Sequence, residues 1–498
     1  MHFAFLTIPS SGEFNVQLAT ANELVKSGNK VTFLSGKELG KHVDNLRKSQ
    51  SDPISAHLVN FIPLGQHKSV TDFSPTVRNR LSQMRRKPGD IRSLQACIDI
   101  GFPSWEDFHA TAIDVSEVLQ ILDPDMVVVD ALSPAMITGV RLTGRAFYLT
   151  IPCSPGLTAS SNLTSPHAAS EKRDGLSSVL ESSYLRMRDY LYCIQKPSYL
   201  SKSRKLQQQL SLKSFGLRQN VTLLPPYWKD ANCLGGIHFN VPGLNDCPQQ
   251  PSSVTFVGAG ISPLEPKLDN LLTQTRTDTE QWLDDAYASD QSVVFVNMGS
   301  MFVWSKKEFQ QMISAFEIVR NHYQGSVRFL FKASLKDGQS ANALTEKQSE
   351  YIRLSGWIED QNAVYQHPAL KVFLHHGGGN SFNEAVFFGI PQLIIGQWLD
   401  HHEYGFLVER YGMGLRCKKA PLIDSRSVSA CLIKMLGPEW KSMKQSSVQW
   451  SIRSQLAGGP KTAAKLLIMN TKRPSISSVS SGLSTPLTLL GDMEKSNL

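Results

Sequence analysis

Residues 375–389 read HHGGGNSFNEAVFFG, two histidines, three glycines and an asparagine directly before a run with helical spacing. A loop entering a helix offers free backbone N–H groups and a partial positive charge, the local chemistry that holds phosphate. Gly377, Gly378 and Gly379 let a ligand approach the backbone, Asn380 and Ser381 can cap the helix, and His376 can donate to a phosphate oxygen. The loop NMGSM at 297–301 repeats the logic, with Gly299 and Ser300 after a strand end. Two such loops in one half of the chain suit a diphosphate better than a single phosphate. On local features alone the glycines could equally be plain turns and Asn380 a plain cap.

Trp357, in LSGWIEDQNAVYQHP, is either a core tryptophan or a flat face at a strand end on which a base stacks. Glu384, one helical turn beyond Asn380, can accept two ribose hydroxyl protons. Aromatic face, ribose carboxylate and diphosphate loop together describe a nucleoside diphosphate ligand, without the G-x-G-x-x-G loop that NAD requires.

These residues need rigid elements to position them. HFAFLTI, the loop PSSGEFN, the helical VQLATANELVKSG and NKVTFLS form a strand, loop, helix and strand unit, and DPDMVVVDAL and GRAFYLTIPCS repeat the strand signal. From 155 to 241 the pattern is poorer, with helical spacing in SSVLESSYLRMRDYLYCI and KSRKLQQQLSLKSFG. A second alternating series starts at SVVFVNMGS and runs to GLRCKKA. The fold class expected is α/β, two tandem doubly wound Rossmann-like domains whose cleft is the default small-molecule site. The boundaries expected are an acceptor-binding domain over 1–250, a linker over 251–278, and a nucleotide-sugar domain over 279–445. A C-terminal helix over 446–469 packs back on the first domain, and 470–498 is a Ser- and Thr-rich disordered tail.

At 498 residues the chain exceeds one hydrophobic core. The formal charge of +8 is spread without a stripe or a zinc-finger spacing, which argues against nucleic acid as partner. Seven scattered cysteines form no CxxC pair, which speaks against a zinc site and for a reducing compartment. The start, MHFAFLTIPSSG, reads as a buried strand rather than a signal peptide, and no 18-residue uncharged apolar run provides a membrane anchor. The sequons at Asn162 and Asn220 are then never presented for glycosylation. A cytoplasmic monomer or weak dimer is expected.

The stretch WIEDQNAVYQHPALKVFLHHGGGNSFNEAVFFGIPQLIIGQWLDHH, 357–402, resembles the signature box of the family 1 UDP-sugar-dependent glycosyltransferases of GT-B fold, which include plant secondary-product and animal glucuronosyl enzymes. It carries one extra residue after the tryptophan. Weaker agreement in EQWLDD, VFVNMGS and the first unit extends the resemblance over most of 1–465. It implies that Trp357 stacks on uracil, Gln361 contacts the ribose and Glu384 holds its hydroxyls. His376, Gly378, Asn380, Ser381 and Ser300 would bind the diphosphate, with Asp400 and His401 reading the sugar. Family members commonly have Gln where His401 stands, some with His use galactose, and Gly396 replaces a proline.

The family's first loop normally carries a His base paired with an Asp. Here the loop is SSGEFN with Glu13 in that place, and MVVVDALSP supplies Asp130. A carboxylate can take the acceptor's proton if a neighbouring acid raises its pKa. Glu13 as base, an already acidic acceptor needing none, a histidine from elsewhere such as His401 or His402, and a plain solvated Glu13 remain the readings. No metal and no cofactor beyond the UDP-sugar co-substrate is implied, since helix N-termini can neutralise the leaving diphosphate.

The expected function is an inverting hexosyl transfer to a hydroxyl of a hydrophobic small molecule, such as a phenol, polyketide, terpenoid or sterol, giving a β-glycoside. Trp105, Phe108, Met136, Leu157, Tyr184 and Trp228 are candidates for an apolar acceptor wall, each equally able to be core. The rivals are a UDP-sugar-binding protein without turnover and a GT-B UDP-sugar epimerase. UDP release with a panel of phenols excludes the first, and a donor epimerised without acceptor would favour the second.

Overall fold

The structure, a computed structural model, describes residues 1–50, 52–65, 85–87, 90, 105–158, 184, 187, 227–245, 250–261, 276–333, 344–358 and 360–471, without the side chains of Trp105, Leu157 and Thr158. The sequons, most of the helical spacing expected between 155 and 226, and the tail from 472 lie outside the described residues.

The first sheet has seven strands, β1 (His2–Leu6), β2 (Lys30–Ser35), β3 (Val59–Pro63), β4 (Met126–Asp130), β5 (Phe147–Ile151), β6 (Cys233–His238) and β7 (Val254–Phe256). Its spatial order is β3-β2-β1-β4-β5-β6-β7, and every pairing is parallel. The second sheet contains β8 (Ser292–Asn297), β9 (Val327–Lys332), β10 (Ile352–Ser355), β11 (Leu370–His375), β12 (Gln392–Ile394) and β13 (Gly414–Arg416), in the order β10-β9-β8-β11-β12-β13 and again all parallel. Strands such as β4 and β5 are buried along their whole length, as a parallel sheet covered on both faces requires. These are the two doubly wound α/β domains of the GT-B fold.

In each sheet the strand order reverses beside the first strand, between β1 and β4 and between β8 and β11. A doubly wound sheet opens its crevice at such a switch, beyond the carboxyl ends of the strands. Glu13 follows β1 and Asp130 ends β4, while Ser300 follows β8 and His376 follows β11. Topology alone therefore gathers the chemistry-bearing residues at two switch points.

Helices start where side chains can satisfy their first N–H groups. Thr277 with Glu280 and Ser305 with Glu308 form reciprocal capping boxes that begin the helices Asp278–Ala288 and Lys306–His322. The span expected as a linker, 251–278, differs on this point. Val254–Phe256 pairs with β6 as the seventh strand, because its short apolar run continues the first sheet, and Asp278 already belongs to a helix. The expected boundary at 445/446 falls inside one continuous helix, Trp440–Ala457. That helix stops at Gly458, and Gly459–Thr471 follows as a second one. Ala463, Ala464 and Leu467 of this last helix join the core formed with Phe14, Val16, Ala21, Leu24 and Val25 of the helix Ser11–Lys26. A separate cluster of Val241, Leu244, Phe382, Val386, Tyr404 and Leu407 seams the two halves of the chain.

Candidate active site

Glu13 sits in the first turn of the helix Ser11–Lys26. Its side chain is half-buried, and its Oε2 is fully enclosed with no hydrogen-bond partner. Burial raises its pKa against the opposing effect of a hydrogen bond with Ser10. Asp130 is completely buried, its Oδ2 accepting from Ser133 Oγ at 2.7 Å and its Oδ1 unpartnered. Burial, with the nearby charge of Glu13 as second cause, pushes its pKa well above the usual carboxylate range. Two neighbouring acids in a dry site cannot both ionise cheaply, so both carboxyl groups are raised, Asp130 well above its usual range.

The second domain adds Asp400, first residue of the helix Asp400–Arg410. Burial is the main cause that lifts its pKa to about 7, and Glu403 and Glu13 add to it. Its Oδ2 accepts from the Ser154 N–H at 3.2 Å, in the loop after β5. One turn on, Glu403 accepts from Ser154 Oγ at 2.7 Å and from the Gly156 N–H at 2.9 Å. Carboxyl groups from both domains thus share one electrostatic neighbourhood. Among the described residues no group of three His, Cys, Asp or Glu could hold a metal ion.

The helix Gly379–Phe387 begins after Gly378, and no side chain caps it. The capping expected of Asn380 and Ser381 is therefore corrected. Both lie inside the first turn, leaving the terminal N–H groups without a side-chain cap, and the Asn380 amide instead donates to the carbonyls of Gly12 (3.2 Å) and Ser11 (3.5 Å). Asn380 thereby bridges to the turn that carries Glu13. Gly299, at φ +80, faces His376, and a Cβ there would lie 2.6 Å from the imidazole Cε1. Gly377, at φ +88, would drive a Cβ to 2.7 Å from the His401 carbonyl. The imidazoles of His376 and His401 meet edge to face at 4.7 Å, and the Nδ1 of each is enclosed and unpartnered. Burial lowers the pKa of His376 to about 4 and that of His401 well below the ordinary value, so both are neutral donors at pH 7. His375 is structural: its Nδ1 accepts from the Gly377 N–H and its Nε2 pairs with Gln392.

Trp357 is 69% exposed beyond β10, which removes the core reading. Glu384 Oε2 accepts from Tyr365 Oη at 2.9 Å and from Gln361 Nε2 at 3.0 Å. Gln361 Oε1 accepts from Asn297 Nδ2, and Asn297 Oδ1 from the Gly299 N–H. A single polar chain thus joins the Glu384 carboxylate to the Ser300 loop. Sequence reasoning missed Tyr365, Asn297, Ser154 and Lys332. Lys332 ends β9 and holds its Nζ 4.9 Å from the Trp357 ring centroid; its place at the carboxyl end of a strand was the available signal.

The apolar wall fares differently. Met136 and Trp228 are packed in the core of the first sheet, the ordinary destination of large apolar side chains, rather than facing a cleft. Phe108 is half-buried on the helix Trp105–Leu122 and Tyr184 is exposed. The side chains of Trp105 and Leu157 lie outside the described residues.

Two parallel α/β domains that set their switch points face to face define a GT-B glycosyltransferase. The model of the UDP-glucoronosyl and UDP-glucosyl transferase family matches residues 273–423. The chain is 35% identical to erythritol-mannosyl-transferase 1 of Mycosarcoma maydis over 94% of its own length and 91% of that protein. It is similar in fold to the glycotransferase of kitacinnamycin, with a TM-score of 0.63, 15% identity and coverage of 94% of this chain and 98% of that one. Os79 from O. sativa gives a TM-score of 0.62 at 14% identity, covering 95% and 100%. The chain belongs to the family 1 UDP-dependent glycosyltransferases, enzymes that move a sugar from a UDP-sugar to a small acceptor. Among the described residues no helix is long and apolar enough to cross a membrane.

Proposed function

We propose that the enzyme performs an inverting transfer of a hexose from its nucleotide sugar to a hydroxyl of a small polyol, with Glu13 as general base. One observation carries this reading: the unpartnered Glu13 Oε2 lies within electrostatic reach of Asp130 and of Asp400 from the opposite domain. A cleft of carboxyl groups accepts hydrogen bonds from several hydroxyls at once and suits a polyhydroxylated acceptor better than a hydrophobic one. The name of the relative at 35% identity, a mannosyl transferase for erythritol, supports the same acceptor class and mannose as the hexose.

In the reaction, the acceptor oxygen forms a bond to the anomeric carbon as the bond from that carbon to the diphosphate oxygen breaks on the opposite face. Its proton passes to Glu13, and an α-linked donor yields a β-glycoside. Trp357 stacks on the base, Gln361 and Glu384 hold the ribose, and Asp400 and His401 read the sugar hydroxyls. Ser300, His376, Gly378, Asn380 and Ser381, with the open N-terminus of the helix Gly379–Phe387, take up the charge of the leaving diphosphate, which is electrostatic stabilisation without a metal.

The test is mass spectrometry of products from UDP-glucose, UDP-galactose and UDP-mannose, each offered erythritol, other alditols and a set of phenols. A hexosyl alditol is the expected product. Hexosyl phenols without any hexosyl alditol would return the acceptor to the hydrophobic class, and an epimerised donor without acceptor would replace transfer altogether.

A further inference from the structure

Arg85 and Arg86 precede the helix Trp105–Leu122 in sequence, yet they lie against the second domain. The Arg85 guanidinium donates through Nε to Gln397 Oε1 at 2.9 Å and pairs through both terminal nitrogens with Glu308. It also covers the face of Phe302, 4.4 Å from the ring centroid. The Arg86 N–H donates to the Gln397 carbonyl at 3.1 Å, and the Arg86 carbonyl pairs with His402 Nε2 at 3.0 Å. Gln397 is completely buried, and its own amide donates to the Ile395 and Pro421 carbonyls.

Two loops are joined by these contacts. Phe302 and Glu308 follow the loop of Ser300, and Gln397 opens the turn that delivers Asp400 and His401. That turn includes Leu399 at φ +43, a left-handed conformation disfavoured for leucine that persists only while its surroundings hold it. We propose that Arg85 is a positioning residue of the donor pocket, clamping the sugar-reading turn of Asp400 and His401 to the diphosphate loop of Ser300. The geometry needs the planar fork of an arginine, because a lysine can pair with Glu308 or bond Gln397 but cannot span both. The proposal deepens the reading of Asp400 and His401 as sugar contacts and is independent of the acceptor.

Calorimetric titration of the full-length protein with UDP and with UDP-glucose, UDP-galactose and UDP-mannose, in the absence of acceptor, separates the clamp from general stability. UDP binding rests mainly on Trp357, Gln361, Glu384 and the N-terminus of the helix Gly379–Phe387, which are not among the contacts of Arg85, whereas the sugar depends on the clamped turn. R85Q is expected to weaken UDP-hexose binding about 10-fold or more while UDP binding changes less than about 3-fold. R85K should fall between R85Q and wild type. E308Q is the second variant, because glutamine preserves the capping box with Ser305 while removing the charge opposite Arg85; it should show the same selective loss, smaller in size. Equal weakening of UDP and UDP-hexose, or no weakening of either in R85Q and E308Q, would overturn the proposal. A failed acceptor assignment leaves this titration unchanged.

Discussion

In the proposed mechanism Glu13 is the base, and burial raises its pKa above the ordinary glutamate value. A base works only when unprotonated, so kcat/KM should rise with pH through a limb above 4.5, the ordinary glutamate value. E13Q should lower kcat by ~10²-fold or more, measured as UDP release with saturating acceptor. A fall smaller than about 3-fold would remove Glu13 from the chemistry. Asp130 calls for the opposite expectation. Burial and Glu13 raise its carboxyl well above the usual range, so D130N removes a charge that the folded state disfavours and should keep most of the turnover. The folded state binds a proton at Asp130 that the unfolded chain releases once pH exceeds 3.8. Stability relative to D130N is therefore full below that value and is lost as pH rises toward the folded pKa. D130N should melt higher than wild type at pH 7 and show no such advantage at pH 3.5. A neutral-pH melting point below wild type would mean that Asp130 is ionised.

At the scale of elements, the loops after β8 and β11 depend on each other through Gly299 and His376. Replacing Gly299 by alanine combines the cost of φ +80 with a Cβ 2.6 Å from the imidazole. G299A should weaken UDP binding about 10-fold or more and also lower the melting point, since the folded state carries ~1–3 kcal/mol of strain. Removing the indole of Trp357 should cost ~1–3 kcal/mol of UDP affinity, the usual worth of one base stacked on an aromatic face; unchanged affinity in W357A would displace the base from that platform. Much of this region was legible in the sequence, because glycine loops after strands and the long box at 357–402 are local signals. The bridge from Asn380 to Gly12, the link from Gln361 to Asn297 and the reach of Arg85 to Gln397 were not. Each joins residues more than 60 positions apart, and nothing in the spacing of either partner marks the other. The same holds for β7: three residues in a polar, Pro-containing stretch show no periodicity until a neighbouring strand supplies their hydrogen bonds.

On the scale of the whole molecule, the two domains share elements rather than sitting side by side. Strand alternation foretold the two sheets, but which helix closes which core depends on packing between the ends of the chain. The last described helix completes the core around the helix that carries Glu13. Leu467 is completely buried there, so L467A should cost ~2–5 kcal/mol. The loss should appear as earlier exposure of the first domain to hydrogen exchange, above all in the helix Ser11–Lys26, although the substitution lies near residue 470. Protection lost only in the second domain would contradict this packing.

That shared core also sets an order of events during synthesis. The helix Ser11–Lys26 leaves the ribosome long before Ala463, Ala464 and Leu467, which cover it. At translation speeds of about 5–20 residues per second, the wait is on the order of 20–90 s. Through that interval the nascent first domain presents an uncovered apolar face to holdase chaperones, and a product cut short before Ala463 would present it permanently.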